Sequence, residues 1–313
     1  AAPSVVPRRV NQSAPGIGTT DAGFVLGTGK FLIKVPETMH FRLEGRMQPG
    51  VMAKDIILHC IGEIGFDGAT YRALQFDGSG VAGLSMDDRM TIANMAIEAG
   101  GKNAIFEFDS RTAEYVEARV KLNGTESRYE PVFADQDQKF VYETVINLDQ
   151  LEPTVACHPD PGQRKKAKEM NDVKLDRAYV GSCTGGKTSD FVEFARVLRG
   201  RHVIIDTFGV PATPEIVTDL QRTRWGEKTI WQILLDAGVQ MTENAGCAAC
   251  LGGPLDTFGR MNQPGLKCIS ATNRNFPGRM GHKESQVFLA SPATVAASAL
   301  TGKITDPREF LPN

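Results

Sequence analysis

The sequence has almost no net charge and no long apolar run. Its 35 Lys and Arg residues nearly balance 37 Asp and Glu residues, for a net charge of -2, so we expect neither a nucleic acid nor an anionic membrane as a partner. No run approaches the roughly 18 apolar residues of a membrane-spanning helix, and the opening residues lack the apolar core of a secretory signal. Hydrophobic residues make up 41% of the 313 residues and charged residues 23%, which predicts a soluble protein of about two packed domains.

Cysteine is also scarce. Six cysteines in a chain of this length are too few for a disulfide scaffold, so we expect a reducing compartment. Three of them lie in apolar or mixed runs, where cysteine usually behaves as a small buried hydrophobe: Cys60, Cys157 and Cys268. The other three lie in glycine-rich turns and need a different explanation: Cys183, Cys247 and Cys250.

Helical and strand patterns alternate along the chain. Residues 53–64 and 86–100 have apolar residues at helical spacing, and strand patterns follow each of them. The alternation becomes regular in the second half, where residues 202–208 form one of the predicted strands. This rhythm favours a largely parallel sheet covered by helices, with functional groups in the loops after the carboxyl ends of the strands. A stretch rich in proline and basic residues, 152–168, is the predicted domain boundary.

The turn at residues 181–188, GSCTGGKT, has two interpretations. It satisfies the pattern of a phosphate-binding loop, and Asp206 at the end of an apolar run is placed as such an enzyme's metal-binding carboxylate would be. Alternatively, the turn places Cys183 at a helix N-terminus, where the thiol pKa is lowered and metal ligation is favoured. The phosphate-loop interpretation leaves the other turn cysteines without a role.

Cys247 and Cys250 form a C-x-x-C motif among small residues, which let the backbone approach an inorganic cofactor. With Cys183 they make three thiolates. A redox motif or a zinc site completed by His202 or His282 is one alternative. The other is an iron–sulfur cluster with one open iron, which acts as a Lewis acid.

Two further groups of polar residues are candidate site residues. Asn273, Arg274 and Arg279 crowd one loop after a predicted strand, and paired arginines suit a substrate with two carboxylates. Asn94 and Glu98 are four residues apart on a predicted helix, so they share a face that is otherwise apolar. A buried carboxylate there must be paired or catalytic.

Three motifs in this order resemble the aconitase superfamily, most closely the large subunits of isopropylmalate dehydratases: GSCTGGKTSD at 181–190, GCAACLGGP at 246–254 and TNRNFPGRMGHKE at 272–284. The resemblance extends from about Pro15 to the C-terminal tail. It implies an α/β fold with aconitase-like three-layer αβα domains and largely parallel sheets. The expected segments are 1–46 as the remnant of a first domain, 47–150 as a second and 151–313 as a third that carries the cysteines.

The resemblance also implies the chemistry. Members of this family interconvert 2-isopropylmalate and 3-isopropylmalate in leucine biosynthesis by losing and regaining water, with a 4Fe-4S cluster as cofactor. In this sequence Cys183, Cys247 and Cys250 match the cluster ligands, and Arg274, Arg279 and Asn273 match substrate-binding positions. Asn94 and Glu98 match the polar catalytic positions.

The sequence departs from the family at its beginning. The His-Asp pair and the Asp-Ser-His-Thr turn of the family's first domain are absent, and no histidine of this chain matches them. We therefore expect the chain alone to be inactive and to need that segment together with a small subunit. The alternatives are a homoaconitase or aconitase type of hydratase, or a non-catalytic scaffold subunit. The resemblance predicts the bacterial cytoplasm, with the plastid stroma as the alternative.

Overall fold

The protein is described here by a computed structural model, which covers residues 9–10, 12–13, 19–31, 34–124, 126, 130–247 and 258–311. The predicted ligand Cys250 and most of the first 18 residues lie outside the described residues. The chain forms two compact units. The first unit consists of Ala1–Arg46 and Asp67–Leu148, and the second unit of Met47–Phe66 and Asp149–Asn313.

Strands and helices alternate through both units. The described strands, in chain order, are β1 (Arg9–Val10), β2 (Gln12–Ser13), β3 (Thr38–Glu44), β4 (Ala73–Asp77), β5 (Asn103–Phe106), β6 (Glu130–Pro131), β7 (Tyr142–Asn147), β8 (Thr154–Ala156), β9 (Arg164–Lys166), β10 (Arg177–Gly181), β11 (Asp206–Val210), β12 (Arg224–Trp225), β13 (Lys228–Thr229), β14 (Gln240–Met241), β15 (Lys267–Ser270) and β16 (Gln286–Leu289). The described α-helices are α1 (Thr19–Thr28), α2 (Ala53–Ile64), α3 (Met86–Met95), α4 (Ser110–Leu122), α5 (Thr188–Leu198), α6 (Pro214–Arg222), α7 (Ile230–Asp236) and α8 (Pro292–Thr301). Within the described residues, no helix is long and apolar enough to cross a membrane.

The first unit is built on a sheet with the strand order β2-β5-β4-β3-β7. Strands β5, β4, β3 and β7 are parallel, and β2 runs antiparallel to β5 at one edge. Phe41, Phe76 and Phe106 stack across three neighbouring strands, with ring centroids 5.3 and 5.2 Å apart. All three rings are buried, so this column forms the centre of the unit's core.

The second unit is built on a sheet with the order β14-β11-β10-β15-β16-β8-β9. Strands β14, β11, β10, β15 and β16 are parallel to one another. The β8–β9 hairpin continues the sheet in antiparallel pairing. Helix α8 packs against β10 and β15, and α5 packs against α8. The sheets of both units are therefore mostly parallel, which confirms the predicted α/β class.

The two units divide the chain differently from the three expected segments. Strand β3, expected in the remnant 1–46, pairs with β4 from Thr38↔Ala73 to Arg42↔Asp77 and lies inside the first unit's sheet. Helix α2, expected in the segment 47–150, packs against β8 and β9 and belongs to the second unit. The long-range contacts of β3 and α2 therefore join parts of the chain that the three expected segments keep apart.

Candidate functional site

The carboxyl ends of three parallel strands bring most of the predicted site residues to one edge of the second unit's sheet. Cys183 follows β10, Cys247 follows β14, and the loop with Asn273 and Arg274 follows β15. Strands β10 and β15 are neighbours, and β11 lies between β10 and β14. Parallel strands place their carboxyl ends at the same edge, so the topology gathers thiols, amides and guanidinium groups from distant parts of the chain.

The turn after β10 presents Cys183 outward between buried neighbours. Ser182 and Thr184 are fully buried, whereas Cys183 is exposed. Ser182 has φ 74°, in the left-handed region that non-glycine residues adopt rarely. The Ser182 hydroxyl accepts a hydrogen bond from the Thr184 backbone N–H at 3.3 Å, which favours this conformation. The turn thus exposes the Cys183 thiol in the loop between β10 and α5, which begins at Thr188.

Backbone hydrogen bonds link the Cys183 turn to the loop that carries Cys247. The Ala212 N–H donates to the Gly186 carbonyl at 3.0 Å, and the Gly246 N–H donates to the Pro211 carbonyl at 3.1 Å. The loop after β11 therefore joins the other two, and Cys247 is partly exposed there. Among the described residues, which do not include Cys250, no three His, Cys, Asp or Glu side chains are grouped to hold a metal.

The loop after β15 holds its polar residues in a fixed backbone. Asn273 is 8% exposed, and the Arg279 guanidinium lies 5.6 Å from the centre of the Phe276 ring. Asn275 anchors the loop: its Nδ2 donates to the Cys157 carbonyl at 2.9 Å, and its carbonyl accepts from His158 Nδ1 at 2.9 Å. Asn275 was expected only as one of the two amides of this loop, and its anchoring contacts were not predictable because its partners are more than 100 residues away.

Asn94 and Glu98 both lie in the first unit, but they do not share a regular helix. Helix α3 ends at Met95, and Glu98 lies in the 3-10 turn Ala96–Ala99. The chain tightens because the Gly100 and Gly101 N–H groups bond back to the Ile97 and Ala96 carbonyls, with Gly100 at φ 83°. Glu98 is 6% exposed, so the expected burial of this carboxylate is present although the i, i+4 helical spacing is not.

The phosphate-loop alternative fails on two contacts. Lys187, which would have to reach phosphates, forms an ion pair with Asp190 at 2.9 Å. Asp206 begins β11 and approaches Arg177 at the amino end of the sheet, so it lies at the opposite edge from Thr188. His202, one of the two candidate zinc ligands, also precedes β11 and lies away from the cysteine edge. The strand predicted at 202–208 forms at 206–210 instead. Asp206 therefore begins the strand instead of lying near its end, and His202 lies before it.

Lys54 has no signal in the sequence that would mark it as part of this region. It lies in the first turn of α2, where a lysine is ordinarily solvated, yet only 1% of its surface is exposed. Its Nζ donates to the Ala271 and Thr272 carbonyls, each at 2.6 Å, and to Thr184 Oγ1 at 3.3 Å. The sequence separations of 130 and more residues leave no local signal for these contacts.

The cysteines outside the turns are structural. Cys60 and Cys268 are fully buried and Cys157 is partly buried. Burial raises the pKa of all three thiols, that of Cys268 to about 12. A thiol that stays protonated and inaccessible is a poor nucleophile and a poor metal ligand.

We predict that alkylation distinguishes these classes. After reduction, iodoacetamide at pH 8 should modify Cys183 at least about tenfold faster than Cys60 or Cys268, because the thiolate is the nucleophile and must be accessible. Peptide mass spectrometry at timed intervals measures the rates, and denatured protein provides the control in which all sites react. Equal rates for Cys60 and Cys183 in the folded chain would contradict the assignment.

Comparisons with known proteins show which family and which relatives the chain is similar to. The model of the aconitase family, described as aconitate hydratase, matches residues 12–169 and 163–302. The chain is 52% identical over 305 residues to the chloroplastic 3-isopropylmalate dehydratase large subunit of Arabidopsis thaliana, covering 96% of this chain and 59% of that protein. It is 44% identical over 298 residues to the large subunit of Clostridium kluyveri, covering 95% and 67%. Aconitase X of Thermococcus kodakaraensis aligns over 76% of this chain and 49% of that one, with 12% identity and a TM-score of 0.39.

Proposed function

The chain belongs to the aconitase family, and from that premise we propose that it is the large-subunit portion of a 3-isopropylmalate dehydratase. The observation that carries this proposal is the 52% identity to such a subunit over 96% of the chain. The chain spans 59% to 67% of the length of the two large subunits compared. The activity, the substrate and a small-subunit partner are therefore all part of the proposal.

The proposed cofactor is a 4Fe-4S cluster held by Cys183, Cys247 and Cys250. The fit rests on the donor chemistry at the sheet edge: an exposed thiol on a turn with buried neighbours, and a second thiol in a loop bonded to the same edge. Cys250 follows Cys247 in the C-x-x-C motif. When bound, such a cluster supplies an iron that is open to the substrate and acts as a Lewis acid.

The polar residues supply binding and orientation in this proposal. The Arg274 and Arg279 guanidinium groups bind the two carboxylates of the malate derivative, since their forked geometry suits bidentate pairing. Asn273 orients the substrate beside them. Asn94 and Glu98 are assigned polar contacts to the reacting part of the substrate on the family resemblance. The reaction removes water across a carbon–carbon bond and returns it in the opposite orientation, so no net oxidation occurs.

We propose the bacterial cytoplasm as the compartment, with the plastid stroma as the alternative because the Arabidopsis relative is named as chloroplastic. In the proposed enzyme the small subunit completes the active site and contributes to the choice of the substrate's alkyl group. When the chain is extended to the relatives' length and co-expressed with a cognate small subunit, the complex should interconvert 2- and 3-isopropylmalate. A cluster-containing complex without this activity would favour a hydratase for another malate derivative or a scaffold role.

The cluster is tested by anaerobic reconstitution with iron and sulfide. We expect about four irons per chain, with the visible absorption and EPR spectra of a 4Fe-4S cluster, and less than about one iron per chain in Cys183→Ser. Cys157→Ser is the matched control, because Cys157 is partly buried beside Met170 and should leave the iron content unchanged. An iron content that is the same in wild type and Cys183→Ser would exclude the proposed site.

A further inference from the structure

Lys54 is a buried ammonium group with hydrogen bonds to two loops at the carboxyl ends of the second unit's strands. The two carbonyls and the hydroxyl that it contacts belong to Ala271, Thr272 and Thr184. A buried charge is costly unless its donors are satisfied, and an ammonium has three N–H donors to satisfy. The surroundings of Lys54 therefore provide one acceptor for each donor.

These acceptors come from two turns that resemble each other. After β10, the Thr184 N–H bonds to the Ser182 hydroxyl, and after β15 the Thr272 N–H bonds to the Ser270 hydroxyl at 3.2 Å. The four side chains are all fully buried. Thr184 Oγ1 also donates to the Ala271 carbonyl at 3.2 Å. Lys54 is thus bonded at the junction of the Cys183 turn and the loop that leads to Asn273 and Arg274.

The backbone that carries Lys54 is itself fixed to the sheet of the second unit. The neighbouring Asp55 is fully buried, and its carboxylate accepts from the Met52 N–H and from the Thr154 N–H at the start of β8, each at 2.8 Å. The hydrogen bonds of Lys54 and of the adjacent Asp55 therefore both hold the first turn of α2 in place. A side chain on such a rigid support can hold two loops in register.

We propose that Lys54 is a positioning residue that holds the Cys183 turn against the loop carrying Asn273 and Arg274. The inference rests on the proposed function for its chemical purpose, which is to keep the cluster ligand and the anion-binding groups at a fixed separation. Lys54 touches neither cluster nor substrate in this role. Its removal leaves the Thr272 carbonyl without its charged donor and removes the bridge between the two turns.

The test is hydrogen exchange of the chain without cofactor, followed by mass spectrometry. In Lys54→Met, which keeps the length of the side chain but has no donor, amides in 182–186 and 271–275 should exchange at least about tenfold faster. Amides of α8, in the same core, should change less than twofold. Lys303→Met is the matched control, because Lys303 is exposed in the same unit and should leave both loops unchanged.

Thr184→Val provides a milder variant if Lys54→Met does not fold. It removes one acceptor of Lys54 and one donor to Ala271, and should accelerate exchange in the same two loops by a smaller factor. Unchanged loops in either folded variant, or an equal acceleration of α8 and the loops, would overturn the positioning role.

Iron content separates this inference from the proposed function. After reconstitution, wild-type chain with about four irons and Lys54→Met with less than half of that would support both. Normal iron uptake by wild type with unchanged loop exchange in Lys54→Met would overturn only the role of Lys54. If wild type takes up no iron but the two loops exchange faster in Lys54→Met, the positioning role is supported and its proposed chemical purpose is lost.

Discussion

Replacing Asp109 by asparagine is expected to lower the free energy of unfolding of the first unit by about 3 kcal/mol. Arg89 on α3 is 1% exposed, and its guanidinium forms two hydrogen bonds to Asp109, at 2.8 and 2.5 Å. Without the carboxylate the buried guanidinium keeps its charge and loses its counter-charge. We take the lower end of the range of about 3–5 kcal/mol for breaking such a pair, because solvent screens the partly exposed Asp109 side chain.

Asparagine tests the ion pair more selectively than alanine would, because Asp109 is also the N-cap of α4. Its carboxylate accepts from the Thr112 N–H at 3.0 Å, and an asparagine side chain retains a capping oxygen. Urea denaturation followed by circular dichroism measures the change, with Asp137→Ala as the control at an exposed aspartate of the same unit. The double variant Arg89→Met/Asp109→Asn should recover part of the loss, since it removes the buried charge. An Asp109→Asn variant within 0.5 kcal/mol of wild type, about the range of surface substitutions, would show that solvent already screens the pair.

The same ion pair predicts the acid sensitivity of the first unit. Hydrogen bonds from Arg89 lower the pKa of Asp109 from 3.8 to about 2. Because the folded pKa lies below the unfolded one, this stabilisation is complete above about pH 4 and is lost as the pH falls towards 2. Asp109→Asn should therefore show a smaller loss of stability than wild type between pH 5 and pH 3.

The secondary structure was predictable wherever the local pattern alone decides it. Residues 53–64 form α2 within the predicted bounds, because apolar residues recur there at helical spacing. Strand β3 was not predicted, although Met39, Phe41 and Leu43 alternate and are buried, which is a signal the sequence did carry. The apolar run from Val203 to Ile205 was wrongly predicted as the start of a strand. The Val203 and Ile204 N–H groups bond to the Ala237 and Ala299 carbonyls, and the sheet pairing starts only at Asp206.

The site was predictable as a set of residue types and not as an arrangement. Glycine-rich turns after strands identified Cys183 and Cys247 as loop residues, and parallel strands then place such loops at one edge. Lys54 and the anchoring contacts of Asn275 were not predicted because they depend on partners more than 100 residues away in sequence. A buried lysine and an ordinary surface lysine have the same local sequence pattern, so only the tertiary contacts distinguish them.

Replacing Gly185 by alanine is expected to lower the free energy of unfolding of the second unit by about 2 kcal/mol and to reduce iron uptake to less than a quarter of wild type. A methyl group at Gly185 would lie 2.4 Å from Ala271 Cβ and 2.5 Å from the Ala271 carbonyl oxygen. Backbone atoms cannot move aside as a flexible side chain can. The Cys183 turn must therefore shift away from the loop after β15, which displaces the thiol relative to the other proposed ligands.

Gly83→Ala is the control for this substitution, because a methyl group there would meet no heavy atom within 4 Å apart from its own local backbone. Denaturation measures stability, and reconstitution under anaerobic conditions measures iron per chain. The two readouts separate packing from ligand placement. A destabilised Gly185→Ala that still binds iron like wild type would mean that the close approach of the two turns serves only the core. Loss of iron at a stability that keeps the variant folded would instead show that contact with Ala271 sets the position of Cys183.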